Sequence, residues 1–227
     1  MANLTQLKVL ESLDGFLLVD KPEGLAFSTV VKTVKRKFGL VKVGHGGSLD
    51  AMASGLLVLL INDANRFVDR VMGADRAYEG VMRFGSTTDT GDRYGRPGPA
   101  PEAVMRPEDV RGDIFQTEPR FCSVRREGSA GYEIADTGEH AQFLAHVYRF
   151  DVAAAADGGQ DRAFSLLASK GVLVRALARD LGATLMSLRR TKIGNFGVGD
   201  AIPFGRLLET GMGDFAQCVI PTSKALA

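Results

Sequence analysis

The sequence predicts an α+β fold: a mixed, mainly antiparallel central sheet with flanking helices. Three observations predict it. Short apolar runs of strand length recur along the chain. Two of them are joined by a loop carrying Asp157, Gly158 and Gly159, a hairpin signal. Segments with helical spacing fall between the strands without the strict strand–helix alternation of a doubly wound parallel sheet. The chain has 227 residues, 45% of them hydrophobic and 24% charged, enough to bury a sizeable core.

Residues 14–20 (DGFLLVD) read as an apolar strand. Lys21, Pro22, Glu23 and Gly24 make a turn after it, because proline fixes φ and glycine tolerates positive φ. Ser28 is the expected N-cap of a helix running to Phe38. In it Val30, Val31, Val34 and Phe38 recur at helical spacing, basic residues largely fill the rest, and Gly39 ends it. Residues 44–55 (GHGGSLDAMASG) form a glycine-rich loop with no amphipathic period. The continuous apolar run 56–61 reads as a buried strand. A helix over 64–72 follows, with Phe67, Val68, Val71 and Met72 inward and Gly73 as its stop. Residues 77–85 read as a strand with Tyr78, Gly80, Met82 and Phe84 on one face.

Residues 86–101 are polar and turn-rich. A short helix is expected near 107–115, followed by a segment, EPRFCSVRREG, with no assignable period. Residues 145–152 and 163–169 are the strands of the predicted hairpin. A helix over 174–187 would align Leu177, Leu181 and Leu185. A last strand (191–196) and a last helix (203–210) close the chain. No repeat, low-complexity tract or long linker interrupts it, so 1–227 reads as one domain.

Several function classes are excluded by composition. No apolar run approaches the roughly 18 residues that span a bilayer, and the first residues lack a signal-peptide pattern. Cys122 and Cys218 lie far apart without metal-ligand spacing, so a cytoplasmic location with neither disulfide framework nor zinc is expected. Net charge is only +1, but its distribution is uneven. Lys32, Lys35, Arg36, Lys37 and Lys42 lie in a stretch free of acids. Lys170, Arg175, Arg179, Arg189, Arg190 and Lys192 face only Asp180. Such asymmetry builds either a basic face or ordinary solvated helices.

Asp50 sits in the glycine-rich loop just before a buried strand, with His45 five residues ahead of it. The glycines permit unusual backbone angles and close approach of a large ligand. On the residues alone it reads as a turn aspartate or as a functional carboxylate.

The segment GHGGSLDAMASGLLVL resembles the pseudouridine synthase motif of the TruB family. Four more segments match that family in the same order: DKPEG, AYEGVMRFGSTTDTGDRYG, SKGVLVRALARDLG and LRRTKIGNF. The resemblance implies an isomerase that converts uridine to pseudouridine in the T-loop of tRNA, with no cofactor and no metal. It makes Asp50 the essential carboxylate, as nucleophile or in assisting glycosidic cleavage. It makes Arg175 the cation beside it, and Tyr78 the ring that stacks on the uracil and helps remove the C5 proton. His45 would hold the opened loop, Leu188 would line the uracil pocket, and Lys21, Arg189 and Arg190 would bind substrate. The expected partner is the T-arm of tRNA, bound by a monomer with no membrane association.

The sequence departs from the family pattern at Ala51, where the family has proline, and at Val172 and Leu173, where it has threonine and tyrosine. Arg76 stands for a lysine, and Arg125 falls at another lysine position. Too little chain follows Phe196 for the RNA-binding, PUA-type domain of bacterial relatives, so weaker tRNA binding is expected. The departures motivate an alternative: a weak or inactive RNA-binding protein of the same fold that acts as a tRNA folding chaperone. A hydrolase is poorly supported, since no second motif-placed carboxylate, phosphate loop or metal cluster is present.

Overall fold

The computed structural model describes residues 13–99, 102–119, 125–126, 129–130, 142–154 and 158–225. They fall into two compact units, Met1–Ala74 with Arg190–Ala227, and Asp75–Arg189. In chain order the first unit opens with β1 (Gly15–Lys21), α1 (Phe27–Lys37), β2 (Val43–His45), β3 (Ser54–Ile61), a 3-10 turn over Asn62–Phe67, and α2 (Val68–Met72). The second unit holds β4 (Arg76–Phe84), β5 (Thr87–Thr88), β6 (Pro97–Gly98), β7 (Gly112–Thr117), β8 (Arg125–Arg126), β9 (Ser129–Ala130), β10 (Gln142–Val152), β11 (Asp161–Ala168) and α3 (Val174–Asp180). β12 (Ala183–Ile193) starts in the second unit and ends in the first. The first unit then closes with β13 (Phe196–Gly197), β14 (Ile202–Pro203), α4 (Phe204–Glu209), β15 (Ile220–Pro221) and α5 (Thr222–Ala225).

In the first unit β1 runs antiparallel to β3 along its whole length, with Gly15 opposite Ile61 and Lys21 opposite Gly55. β2 is antiparallel to β3, with His45 opposite Leu59. β1 also pairs parallel with β14 and antiparallel with β15. Both faces of this sheet are buried, which is why its strands read as unbroken apolar runs instead of alternating. Leu17, Val19, Leu57, Leu59 and Ile61 pack against Val30, Val34 and Phe38 around α1 and against Phe204 and Leu207 of α4. On the opposite face Phe16, Leu18, Leu56, Val58 and Leu60 meet Ala64, Val71 and Ile193.

The second unit is an antiparallel array in which β4 pairs β11, β11 pairs β10 and β10 pairs β7. The register slips between Val147 and Arg149, so Tyr148 sits at an irregularity. The architecture is the α+β, mixed and mainly antiparallel one that the sequence predicts; β1 with β14 is a parallel pair within it.

Several expectations change. Met72, expected to face inward, is 44% exposed at the end of α2. The strand expected over 191–196 is the end of β12, a turn at 194–195 and the start of β13. Helix α1 begins at Phe27, one residue before Ser28, and Ala26 is its N-cap with no side-chain capping bond. The helix expected at residue 64 starts as a 3-10 turn and becomes α-helical only at Val68. In place of the helix expected near 107–115 there is a 3-10 turn over Pro107–Asp109, and from Gly112 the chain is β7. Gly112, at φ +78°, breaks the helical path there. Finally, α3 ends at Asp180 and not at residue 187, because Gly182 at φ +67° turns the chain into β12, which takes Leu185. Residues 120–124 and 127–128 of EPRFCSVRREG and Asp157 of the hairpin loop lie outside the described residues.

Candidate active site

Asp50 is half-buried in the loop between β2 and β3. Glycine is required around it for space. A Cβ on Gly44 would strike the Asn65 amide oxygen, and one on Gly46 would strike Val71. Gly55 has φ +101°, and a side chain there would run into the backbone of Arg190. The loop thus lies flat on its own unit, with the Gly46 N–H donating to the Val58 carbonyl at 2.8 Å.

Two buried cations fix this loop on both sides of Asp50. Arg190 is 1% exposed. Its guanidinium donates to the carbonyls of Ser48 (2.8 Å), Gly47 (3.2 Å) and Leu56 (2.8 Å). Lys21 is fully buried at the end of β1. Its ammonium donates to the carbonyls of Pro22 and Leu25, both at 2.8 Å, and to Ala51 at 3.5 Å. The Gly24 N–H reaches the same Ala51 carbonyl at 2.7 Å. The residues before the carboxylate are therefore held by Arg190 and the one after it by Lys21 and the Gly24 turn. Ala51 lacks the ring of a proline, yet its carbonyl is pinned twice.

The charges interact as well. Burial pushes the Lys21 ammonium down from 10.5 to about 8; the negative charge of Asp50 opposes this fall, and the positive charge of Arg190 adds to it. His45, at the end of β2, is half-buried, with its ring edge-on to Phe27 at 4.9 Å between centroids. Its Nδ1 accepts from the Gly47 N–H at 3.3 Å. In the neutral ring that leaves Nε2 as the protonated nitrogen.

The second unit carries the other group of expected residues. Tyr78 lies on β4 and Leu188 on β12, each only 7% exposed. Arg175 is the second residue of α3 and donates to the Thr90 carbonyl at 3.1 Å. The Thr90 segment is itself tied down. Its hydroxyl donates to the Asp92 carboxylate at 2.9 Å, as does the Tyr94 N–H at 3.0 Å. Arg93 and Gly91 exchange backbone bonds with Leu185 of β12. The segment leading into α3 is held by Gln116 of β7, which is 1% exposed. Its amide donates to the Leu173 carbonyl at 3.1 Å and accepts from the Leu173 N–H at 2.9 Å. This support comes through backbone, so it does not need the hydroxyl and phenol that Val172 and Leu173 lack.

The structure brings Lys21, Asp50 and Arg190 together in the first unit. It also corrects two expectations. The family resemblance puts Arg190 and Lys21 against substrate. Both are buried, and their donors are committed to the protein's own carbonyls, so neither is offered to a phosphate. Arg189 is half-buried. Lys32, Lys35, Arg36 and Lys37 of α1 and Lys192 are exposed. Gln116 escapes sequence reading, since its importance comes from a partner 57 residues away.

A family model described as the N-terminal domain of TruB family pseudouridylate synthases matches residues 35–174. Proteins named tRNA pseudouridine synthase B are similar along most of the chain. The one from Azoarcus sp. (strain BH72) is 37% identical over 84% of this chain and 68% of its own length. The one from Gluconacetobacter diazotrophicus is 33% identical over 95% of this chain and 76% of its own. A solved chain described as a Cbf5–Nop10–Gar1 complex superposes with a TM-score of 0.70 at 25% identity, covering 93% of this chain and 61% of that one. This chain thus spans about two thirds to three quarters of the length of these named relatives and less of the solved one.

Proposed function

Because the chain belongs to the TruB family of pseudouridylate synthases, we propose that it isomerises uridine to pseudouridine in the T-loop of tRNA, with Asp50 as its catalytic carboxylate. The observation that supports this most is the double clamp on the Asp50 loop: Arg190 grips the carbonyls before the carboxylate, and Lys21 the carbonyl after it. An ordinary turn aspartate has no need of two buried cations.

The reaction is an isomerisation. The bond from C1′ to N1 breaks, the uracil turns, and C1′ is rejoined to C5. The C5 proton leaves and N1 gains one, so nothing is oxidised or reduced and no cofactor or metal is called for. Asp50 acts on the sugar carbon as nucleophile or assists the departure of the base, and either role needs it ionised. Lys21 is the buried cation of its own unit, and Arg175 is the cation of the family motif. The Tyr78 ring stacks on the uracil, with its hydroxyl serving the C5 proton, and Leu188 lines the base pocket. A base in a folded loop must be extruded, at a cost of a few kcal/mol of stacking. His45 takes the space opened by that displacement. Lys32, Lys35, Arg36 and Lys37, with Arg189 and Lys192, meet phosphates of the T-arm. Residues 1–227 serve as one catalytic domain, working as a cytoplasmic monomer.

The test is Asp50→Asn on a T-arm transcript. Binding should stay near wild type while turnover falls by ~10³-fold or more, the scale on which loss of a catalytic group is felt. Turnover within about tenfold of wild type would rule the role out. No pseudouridine from the wild-type protein would favour the chaperone reading instead.

A further inference from the structure

The first unit has a cleft that contains no residue of the Asp50 loop. Its volume is about 590 Å³, and it is lined by Val41, Lys42, Asn62, Asp63, Asn65 and Arg66. Its walls are fixed by backbone pairing. The Lys42 N–H donates to the Asn62 amide oxygen at 3.1 Å, and the Asn62 N–H returns to the Lys42 carbonyl at 2.9 Å. Asn62 holds a left-handed backbone, φ 46°, and its amide donates to the Leu13 carbonyl at 2.8 Å. Asn65 directs its amide N–H groups to the carbonyls of Asn62 (2.8 Å) and Leu60 (3.0 Å). Both asparagines are thus committed to the fold. What they leave to an incoming ligand are the exposed side chains of Lys42 and Arg66, set against the single carboxylate of Asp63.

The cleft also adjoins the basic helix. Lys42 ends the acid-free stretch that begins at Lys32, and the last turn of α1 carries Lys35, Arg36 and Lys37. Lys42 directly precedes β2, and His45 lies three extended steps further on, about 10 Å. Neighbours along β2 point to opposite faces: the position of a Gly44 side chain is filled by Asn65, whereas the His45 ring meets Phe27 of α1. The cleft and His45 therefore flank the strand from its two faces, and the cationic stretch of residues 35–42 leads into it.

We propose that this cleft is a phosphate subsite, in which Lys42 and Arg66 bind a backbone phosphodiester of the RNA outside the nucleotide that reacts. The inference rests on the tRNA reading above and extends the footprint from the His45 face of β2 to its other face. Because the site takes phosphate and not a base, it is insensitive to sequence and acts on affinity alone.

Binding of a T-arm transcript by wild type, Lys42→Ala/Arg66→Ala and Asp63→Asn, over a series of salt concentrations, tests it. The double variant should bind roughly tenfold more weakly at low salt, and its log–log salt slope should be shallower by about 0.7–0.9 for each phosphate no longer neutralised. Single-turnover rate at saturating RNA should be unchanged. Asp63→Asn, which removes the carboxylate and leaves both cations, should bind more tightly. All three side chains are exposed, and equal melting temperatures would exclude misfolding. Unchanged affinity and slope in the double variant, or no gain from Asp63→Asn, overturns the proposal. A wild-type protein that binds RNA but makes no pseudouridine defeats the catalytic reading and leaves the salt slopes to judge the cleft.

Discussion

Arg190 donates to three carbonyls, and its removal takes that donor from each. Arg190→Met keeps much of the volume but withdraws three charge-assisted bonds, at about 1–3 kcal/mol each. Urea denaturation should show a loss of at least ~3 kcal/mol, and the kcat of whatever still folds should drop more than its affinity for RNA. Lys21 makes the opposite kind of prediction, one in pH. Its folded pKa of about 8 lies below the ordinary 10.5, so the protonated form burdens the fold. That burden is fully present below 8 and fades between 8 and 10.5, so Lys21 adds stability as pH rises through this window. Melts of wild type and Lys21→Met measured together should therefore show wild type gaining on the variant as pH rises from 8 to 10.5. A difference that stays level across that window would mean that Lys21 keeps the ordinary lysine range. Neither clamping role is visible in the sequence. Burial depends on what the fold lays over a residue, and the letters K and R do not carry that.

At the level of elements, Gln116 shows how β7 supports α3. Gln116→Met would cut both bonds to Leu173; its N–H loses its partner, while its carbonyl keeps the bond from the Leu177 N–H at 3.0 Å. A stability loss of about 1–3 kcal/mol is expected, along with a fall in turnover because Arg175 follows two residues later. Equal melting and equal kcat in the variant would show that α3 needs no such support. Strands buried on both faces are plain in sequence: β1 and β3 are unbroken apolar runs, and their bounds fall within two residues of the sequence reading. β7 is not, since Ile114 and Gln116 point inward while Phe115 is 70% exposed, an alternation that gives no apolar run. The helix expected over 174–187 fails for a related reason. Leu177, Leu181 and Leu185 fit one stripe, but Leu185 is buried from a strand, and only Gly182 hints at the break.

For the whole molecule, net charge and charge placement say different things. A chain of net charge +1 carries on α1 a cationic face whose apolar side, Val30 and Val34, is committed to the core. Reversing Lys32, Lys35 and Arg36 to Glu should leave the melting temperature almost unmoved, because all three are exposed. It should weaken RNA binding by an order of magnitude or more at low salt, with the deficit shrinking as salt rises. A deficit independent of salt would point to an interaction other than with phosphate. The first unit is assembled from two separated stretches of the chain, and the second from one continuous middle stretch. On the ribosome the middle stretch is therefore free to fold as soon as it emerges, whereas the loop around Asp50 waits for Arg190 and the segments that follow it. The carboxylate proposed as catalytic is then expected to stay slack in the nascent chain until that late arginine arrives, which would leave a half-made protein with no competent centre to turn on the tRNAs that crowd around its own translation.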